Sequence, residues 1–218
     1  MSAYFITGTG TGVGKTLVTA ALAHQLRARG RCVDAVKPIV TGFDEGRTKE
    51  SDPSVLIEAL GEELSARTLD RVSPMRFRAP LAPVMAARAE GREFDFAALV
   101  GFSEAAARKA SGSLLIEGVG GVMVPLGSGK TVLDWIAGLA CPAILVAGSY
   151  LGTLSHTLTA LEVLRQRGIL VAGVVVSESE ASPLPLTKPI AAIVEFCAEP
   201  VLALPRLIGR GPGRWRRT

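Results

Sequence analysis

The residues best equipped for chemistry lie between Thr7 and Leu17, in the run TGTGTGVGKTL. An apolar stretch from Ala3 to Ile6 precedes it and a helical pattern from Leu17 to Leu26 follows, which predicts strand, glycine loop and helix in that order. A loop of this kind wraps backbone N–H groups around phosphate oxygens, and the helix start behind it adds about half a positive charge. Gly12, Val13 and Gly14 supply such amides, Lys15 reaches the β and γ phosphates, and the Thr16 hydroxyl holds Mg²⁺. The strict spacing G-x-x-x-x-G-K-[ST] needs glycine where this chain has Thr9. The dinucleotide pattern G-x-G-x-x-G fails in every register, because Val13, Lys15 and Leu17 stand where its third glycine belongs. The expected ligand is therefore a nucleoside triphosphate.

Further candidates follow along the chain. Lys37-Pro38-Ile39-Val40-Thr41-Gly42 places an ammonium and a hydroxyl just after a strand, an arrangement suited to an anionic substrate or transition state. Asp52-Pro53 reads locally as an N-cap with proline at the first helical position. Glu117 ends an apolar strand opposite the phosphate loop, where many nucleotide-binding proteins place the acid that positions Mg²⁺. His156 falls in the first turn of a helix and reads as a neutral, hydrogen-bonded structural histidine, with Thr153 and Ser155 as candidate N-caps. The same helix start is also suited to a carboxylate from a ligand or a neighbouring subunit.

Alternating strands and helices must position these groups. After the first helix, strands are expected at Arg31 to Val36, Ser113 to Ile116, Ala143 to Ala147, Leu170 to Val176 and Pro200 to Leu204, the last at an edge. Helices are expected from Ser51 to about Leu60, Leu81 to Glu90, Phe96 to Lys109, Ser155 to Gln166 and Lys188 to Phe196. Phe43 to Ser51 reads as a mobile polar loop. This is the pattern of one α/β domain, a P-loop NTPase-like and mainly parallel sheet flanked by helices on both faces, over 1–208. The second glycine loop, Glu117 to Gly121, is expected beside the first.

Composition narrows the class. The chain has 218 residues, 48% hydrophobic but only 5% aromatic, which suits short buried strands under helices and disfavours an all-β fold. Cys32, Cys141 and Cys197 are far apart, so neither a disulfide framework nor a structural zinc site is expected. With no signal-peptide pattern and no membrane-length apolar run, a cytoplasmic protein is expected. The formal charge of +4 is carried by the end of the chain, where Arg206, Arg210, Arg214, Arg216 and Arg217 occur without an acid. Residues 209–218 read as a solvated basic tail rather than a nucleic-acid contact.

Together these motifs resemble dethiobiotin synthetases. The resemblance runs through T-G-T-x-T-x-V-G-K-T at Thr7 to Thr16, K-P-x-x-T-G at Lys37 to Gly42 and the acid at Asp52. It continues with P-x-A-P at Pro80 to Pro83, E-G-x-G-G at Glu117 to Gly121, Asp134-Trp135, and L-G-T-x-x-H at Leu151 to His156. It implies an ATP- and Mg²⁺-dependent cyclo-ligase that converts 7,8-diaminopelargonate and CO₂ (or bicarbonate) to dethiobiotin, acting as a homodimer with sites at the subunit interface. By the same resemblance, Lys15, Lys37 and Thr11 are catalytic, and Thr16, Asp52 and Glu117 surround the metal, which sets the simple cap at Asp52 aside. Gly12 to Thr16, Glu117, Gly118, Ser177 and Pro205 would contact ATP. Thr11, Lys37, Thr41, Gly152, Thr153, Leu154 and Ser155 would contact the substrate. Ser177 departs from the family, which often has a purine-reading asparagine there, and Gly12 stands where some members carry an acid. The alternative is a P-loop ATPase switch of the partitioning or cell-division kind, which binds DNA or membrane. Such proteins usually carry a second lysine early in the loop, whereas positions 8 to 14 hold only Gly, Thr and Val.

Overall fold

A computed structural model describes residues 2–180 and 182–206. The basic tail expected at 209–218 lies outside them. In chain order the regular elements are β1 (Ser2–Gly8), α1 (Lys15–Ala28), β2 (Val33–Val36), β3 (Ile39–Thr41), a 3₁₀ segment (Glu45–Glu50), α2 (Asp52–Ala59), α3 (Ala66–Val72) and β4 (Met75–Phe77). There follow α4 (Pro83–Ala89), α5 (Phe96–Lys109), β5 (Ser113–Glu117), α6 (Val132–Leu139) and β6 (Ala143–Ala147). The last are α7 (Thr153–Gln166), β7 (Val171–Ser177), α8 (Thr187–Val194) and β8 (Val201–Leu204).

Six strands form one sheet in the order β2-β5-β1-β6-β7-β8, and every neighbouring pair is parallel. From β1 the chain moves to one side for β2 and β5 and to the other for β6 to β8. Strand order thus reverses beside β1, where an open α/β sheet forms its ligand crevice. Alternation along the strands divides the interior into two cores. Phe5, Ile116, Leu145 and Val174 face one side, Ile6, Leu115 and Val146 the other. On the first side Trp135 meets Phe5 edge-on at 4.7 Å, and its indole N–H donates to Ser103 Oγ at 3.1 Å. The Asp134-Trp135 pair of the resemblance is therefore structural. Trp135 fills the core, while Asp134 Oδ2 accepts from Thr131 N at 2.9 Å and closes a capping box at the start of α6.

Several elements differ from expectation. The 3₁₀ segment lies in the stretch read as a mobile loop, while β3, β4, α3 and α6 lie where the sequence reading placed no strand or helix. Within the supposed mobile loop, Asp44 caps the 3₁₀ segment by accepting from Gly46 N at 2.9 Å and also binds Arg47. Helix α7 is capped by Gly152, at φ 98°, and not by Thr153 or Ser155. The Thr153 hydroxyl instead donates to Gly148 O at 2.6 Å.

Candidate active site

The phosphate loop leaves β1 at Gly8 and enters α1 at Lys15. Gly14 occupies the turn with φ 95°, and a Cβ there would lie 2.6 Å from Ser177 Oγ, so only glycine fits. Beside it, Val122 N donates to Gly8 O at 3.1 Å, which brings the second glycine loop against the first as expected. Lys15 is buried and folds back to donate to Gly10 O at 2.7 Å. Burial, assisted by the nearby Lys37 charge, depresses its pKa to about 8. An incoming phosphate would relieve both effects.

Lys37 follows β2, its backbone N–H donating to Val72 O at 2.9 Å. Its ammonium lies 2.5 Å from Glu117 Oε1 and 2.8 Å from Asp52 Oδ2. Burial alone would push its pKa down, but the two carboxylates outweigh it and hold Lys37 at about 12. Asp52 shows the mirror image: partial burial works to raise its pKa, and the Lys37 charge overrides this and lowers it. The cap of α2 is Ser51, with Asp52 as the first helical residue and its side chain turned to Lys37, so the local reading of Asp52 as an N-cap is corrected. Glu117 ends β5 fully buried. Its Oε1 accepts from Thr16 Oγ1 at 2.6 Å as well as from Lys37, while Oε2 has no hydrogen-bond partner among the described residues. An unsatisfied buried carboxylate oxygen costs free energy unless a cation or donor meets it. Two carboxylates and a hydroxyl at the phosphate loop form an oxygen donor set that suits a hard divalent cation such as Mg²⁺.

These groups open into one cavity of about 660 Å³. It unites Thr11, Gly12, Gly14, Lys15, Thr16, Lys37, Thr41, Asp52 and Glu117 from four separated segments. Pro80 to Pro83 form one wall, and with Val40, Val119 and Val124 they make part of the lining apolar. Val40 and Leu81 were not singled out from sequence, although they occupy the variable positions of K-P-x-x-T-G and P-x-A-P. Other expected residues lie apart. Val13 and Gly118 are buried behind the loops, and Gly118 N donates to Ile6 O at 3.0 Å. Ser177 is buried beneath Gly14, and Pro205 is exposed just past β8. Gly152 to Ser155 begin α7 outside this cavity. There His156 Nδ1 is 2.9 Å from Tyr150 OH, which in turn lies 3.5 Å from Thr9 Oγ1. His156 is thus hydrogen-bonded, as expected, though exposed; Tyr150 left no signal of its own in the sequence.

A family model described as an AAA domain matches residues 2–208. Among solved structures, the septum site-determining protein MinD with Mg-ADP from Pyrococcus horikoshii superposes with a TM-score of 0.57 at 19% identity, over 94% of this chain and 81% of that one. Chloroplast FtsY from Physcomitrella patens superposes with a TM-score of 0.54 at 16% identity, over 96% of this chain, which spans 59% of the FtsY chain. Identities this low speak for the fold alone. Fold and loop together define a P-loop nucleoside triphosphate-binding protein with a mainly parallel sheet. Among curated proteins, the ATP-dependent dethiobiotin synthetase BioD of Phenylobacterium zucineum is 51% identical over 180 residues, covering 82% of this chain and 77% of its own. That of Methylobacterium nodulans is 43% identical over 211 residues, covering 94% of each chain. The chain belongs to the ATP-dependent dethiobiotin synthetase family.

Proposed function

We propose that this protein closes the ureido ring of dethiobiotin, joining 7,8-diaminopelargonate and CO₂ with ATP as co-substrate, as a carbon–nitrogen ligase of biotin synthesis. The observation that carries the reading is the meeting of Lys37 and Thr41 with the Lys15-Thr16 phosphate loop in one cavity whose remaining wall is apolar. Such a site accepts an anion beside a terminal phosphate and a methylene chain along Val40 and Leu81.

One amine adds to CO₂ and loses a proton, giving a carbamate. A carbamate oxygen then bonds to the γ phosphorus as the bond to the β-phosphate oxygen breaks, and ADP leaves. The second amine attacks the resulting mixed anhydride at its carbonyl carbon, closing the ring, expelling phosphate and losing a proton that the departing phosphate can carry. Lys15 stabilises the charge of the transferring phosphoryl group, Lys37 that of the carbamate and the same phosphoryl group, and Thr11 and Thr41 orient the substrate. Thr16, Asp52 and Glu117 would hold Mg²⁺, whose charge when bound neutralises the phosphate oxygens. Gly12, Val13, Gly14, Gly118, Ser177 and Pro205 would complete the ATP contacts. In a homodimer, Gly152, Thr153, Leu154 and Ser155 would serve the other copy's site, offering helix N–H groups to the substrate carboxylate. We place this activity in the cytoplasm, without nucleic acid or membrane as partner; no described helix is long and apolar enough to cross a membrane.

The test is the coupling of ADP release to both other substrates. Release is expected only when diamine and bicarbonate are present together. ATP hydrolysis at an equal rate without the diamine would contradict the proposal and favour a switch-type ATPase.

A further inference from the structure

Two of the three side chains assigned to the metal meet a fourth group with a charge of its own. Lys37 Nζ donates to Glu117 Oε1 at 2.5 Å and lies 2.8 Å from Asp52 Oδ2, while Thr16 Oγ1 donates at 2.6 Å to the same Glu117 oxygen. An ammonium therefore bridges both carboxylates. Lys37 is 5% exposed and Glu117 0%, so bulk water neutralises neither charge. The second Glu117 oxygen, buried and without a hydrogen-bond partner among the described residues, is coordinating capacity that the ammonium leaves unused.

We infer that Lys37 is the stand-in cation of the metal-free site, bridging Asp52 and Glu117 until a divalent cation arrives with the nucleotide, and that this exchange releases its ammonium toward Thr11 and Thr41. The inference rests on the metal assignment proposed above. Electrostatics impose the exchange. Adjacent carboxylates with no cation between them repel, and so do an ammonium and a divalent ion forced to share the same gap. The Lys37 backbone is anchored by its bond to Val72 O, whereas its four-carbon stem can swing the charge. Thr11 and Thr41 line the same cavity, so the move needs no change of fold. Its consequence is order: an anionic substrate gains the Lys37 charge only once the metal and nucleotide are in place. Metal loading thereby primes the substrate side.

Mn²⁺ alone is the first probe, followed by loss of the free-ion electron paramagnetic resonance signal. Lys37→Met removes the competing ammonium and keeps both carboxylates, so it should bind Mn²⁺ at least about tenfold more tightly than the wild type. Equal or weaker binding by the folded variant overturns the inference. Since that variant leaves a buried carboxylate unpaired, the wild type supplies a second measurement. The restrained Lys37 ammonium should give a lysine side-chain ¹H–¹⁵N cross-peak that shifts or vanishes when Mg²⁺ and a non-hydrolysable ATP analogue bind. A cross-peak unchanged at saturation overturns the exchange. Asp52→Asn separates the two levels. Undiminished Mn²⁺–nucleotide binding by that variant removes the metal assignment, and the inference with it. Lost binding there, combined with no gain in Lys37→Met, removes only the stand-in role.

Discussion

On the proposed mechanism Lys37 has two jobs that pull in different directions, since the charge an anionic substrate would need is also the charge that compensates a buried Glu117. Removing it should therefore cost stability as well as turnover. For Lys37→Met the expected loss is about 3 kcal/mol in urea unfolding, the usual scale for a buried pair stripped of one partner. Turnover should fall by about two orders of magnitude or more. A variant with wild-type turnover would take Lys37 out of the mechanism. Ser177 carries a second prediction. Buried beneath Gly14 and lacking a side-chain amide, it offers little to distinguish one base from another. Initial rates with ATP, CTP and GTP are expected to be comparable, and a strong preference for ATP would show that the base is read elsewhere. The meeting of Lys15, Thr16, Lys37 and Glu117 in one cavity was legible in the residues, because each sits in a short motif at the C-terminal end of a strand. The bridging of Asp52 and Glu117 by Lys37 was not, because Asp52 beside proline satisfies a local capping pattern and its partner lies outside that pattern's reach.

Among the elements, the central strands β1, β5, β6 and β7 are apolar runs that the sequence announces, and α5 begins and ends where its pattern predicts. The β3–β4 ribbon is hidden because each strand has three residues and the pairing of Ile39 with Met75 spans a long stretch of chain. Helix α3 is short and polar, and only its Ser65–Thr68 capping box marks it. Helix α6, VLDWIAGL, buries Val132, Leu133, Trp135 and Ile136 along one face, but its eight residues are too few for that period to stand out from a short apolar run. Its start depends on Asp134, which accepts from Thr131 and also pairs with Arg167. Asp134→Ala should cost about 1–2 kcal/mol, measurable by thermal or urea unfolding. Burial works against the Asp134 charge, yet the Thr131 and Arg167 contacts prevail and lower its pKa. A depressed carboxylate stabilises above its unfolded pKa, so this contribution should be complete at neutral pH and fade as the solution is acidified through the folded pKa. A cost that persists undiminished in strong acid would contradict that origin.

The molecule as a whole sets the phosphate loop at the point where strand order reverses, but one chain does not bring Gly152 to Ser155 into the cavity with Lys37. Near the start of α7, Leu151 is 90% exposed and Leu154 40%, and Met123, which shares a second cavity with His156, is 56% exposed. Apolar side chains left in water at this place are what a partner copy would cover. Leu151→Glu should weaken self-association in sedimentation velocity and raise the KM for the diamine while sparing nucleotide affinity. A monomeric variant with unchanged KM would place the substrate site within one chain. The ring-closing reaction itself is tested most directly by incubating the protein with 7,8-diaminopelargonate, ¹³C-bicarbonate, Mg²⁺ and ATP and following product masses. Dethiobiotin carrying a single ¹³C and formed in step with ADP is the predicted result. ADP accumulating without labelled dethiobiotin, from folded and nucleotide-binding protein, would contradict it.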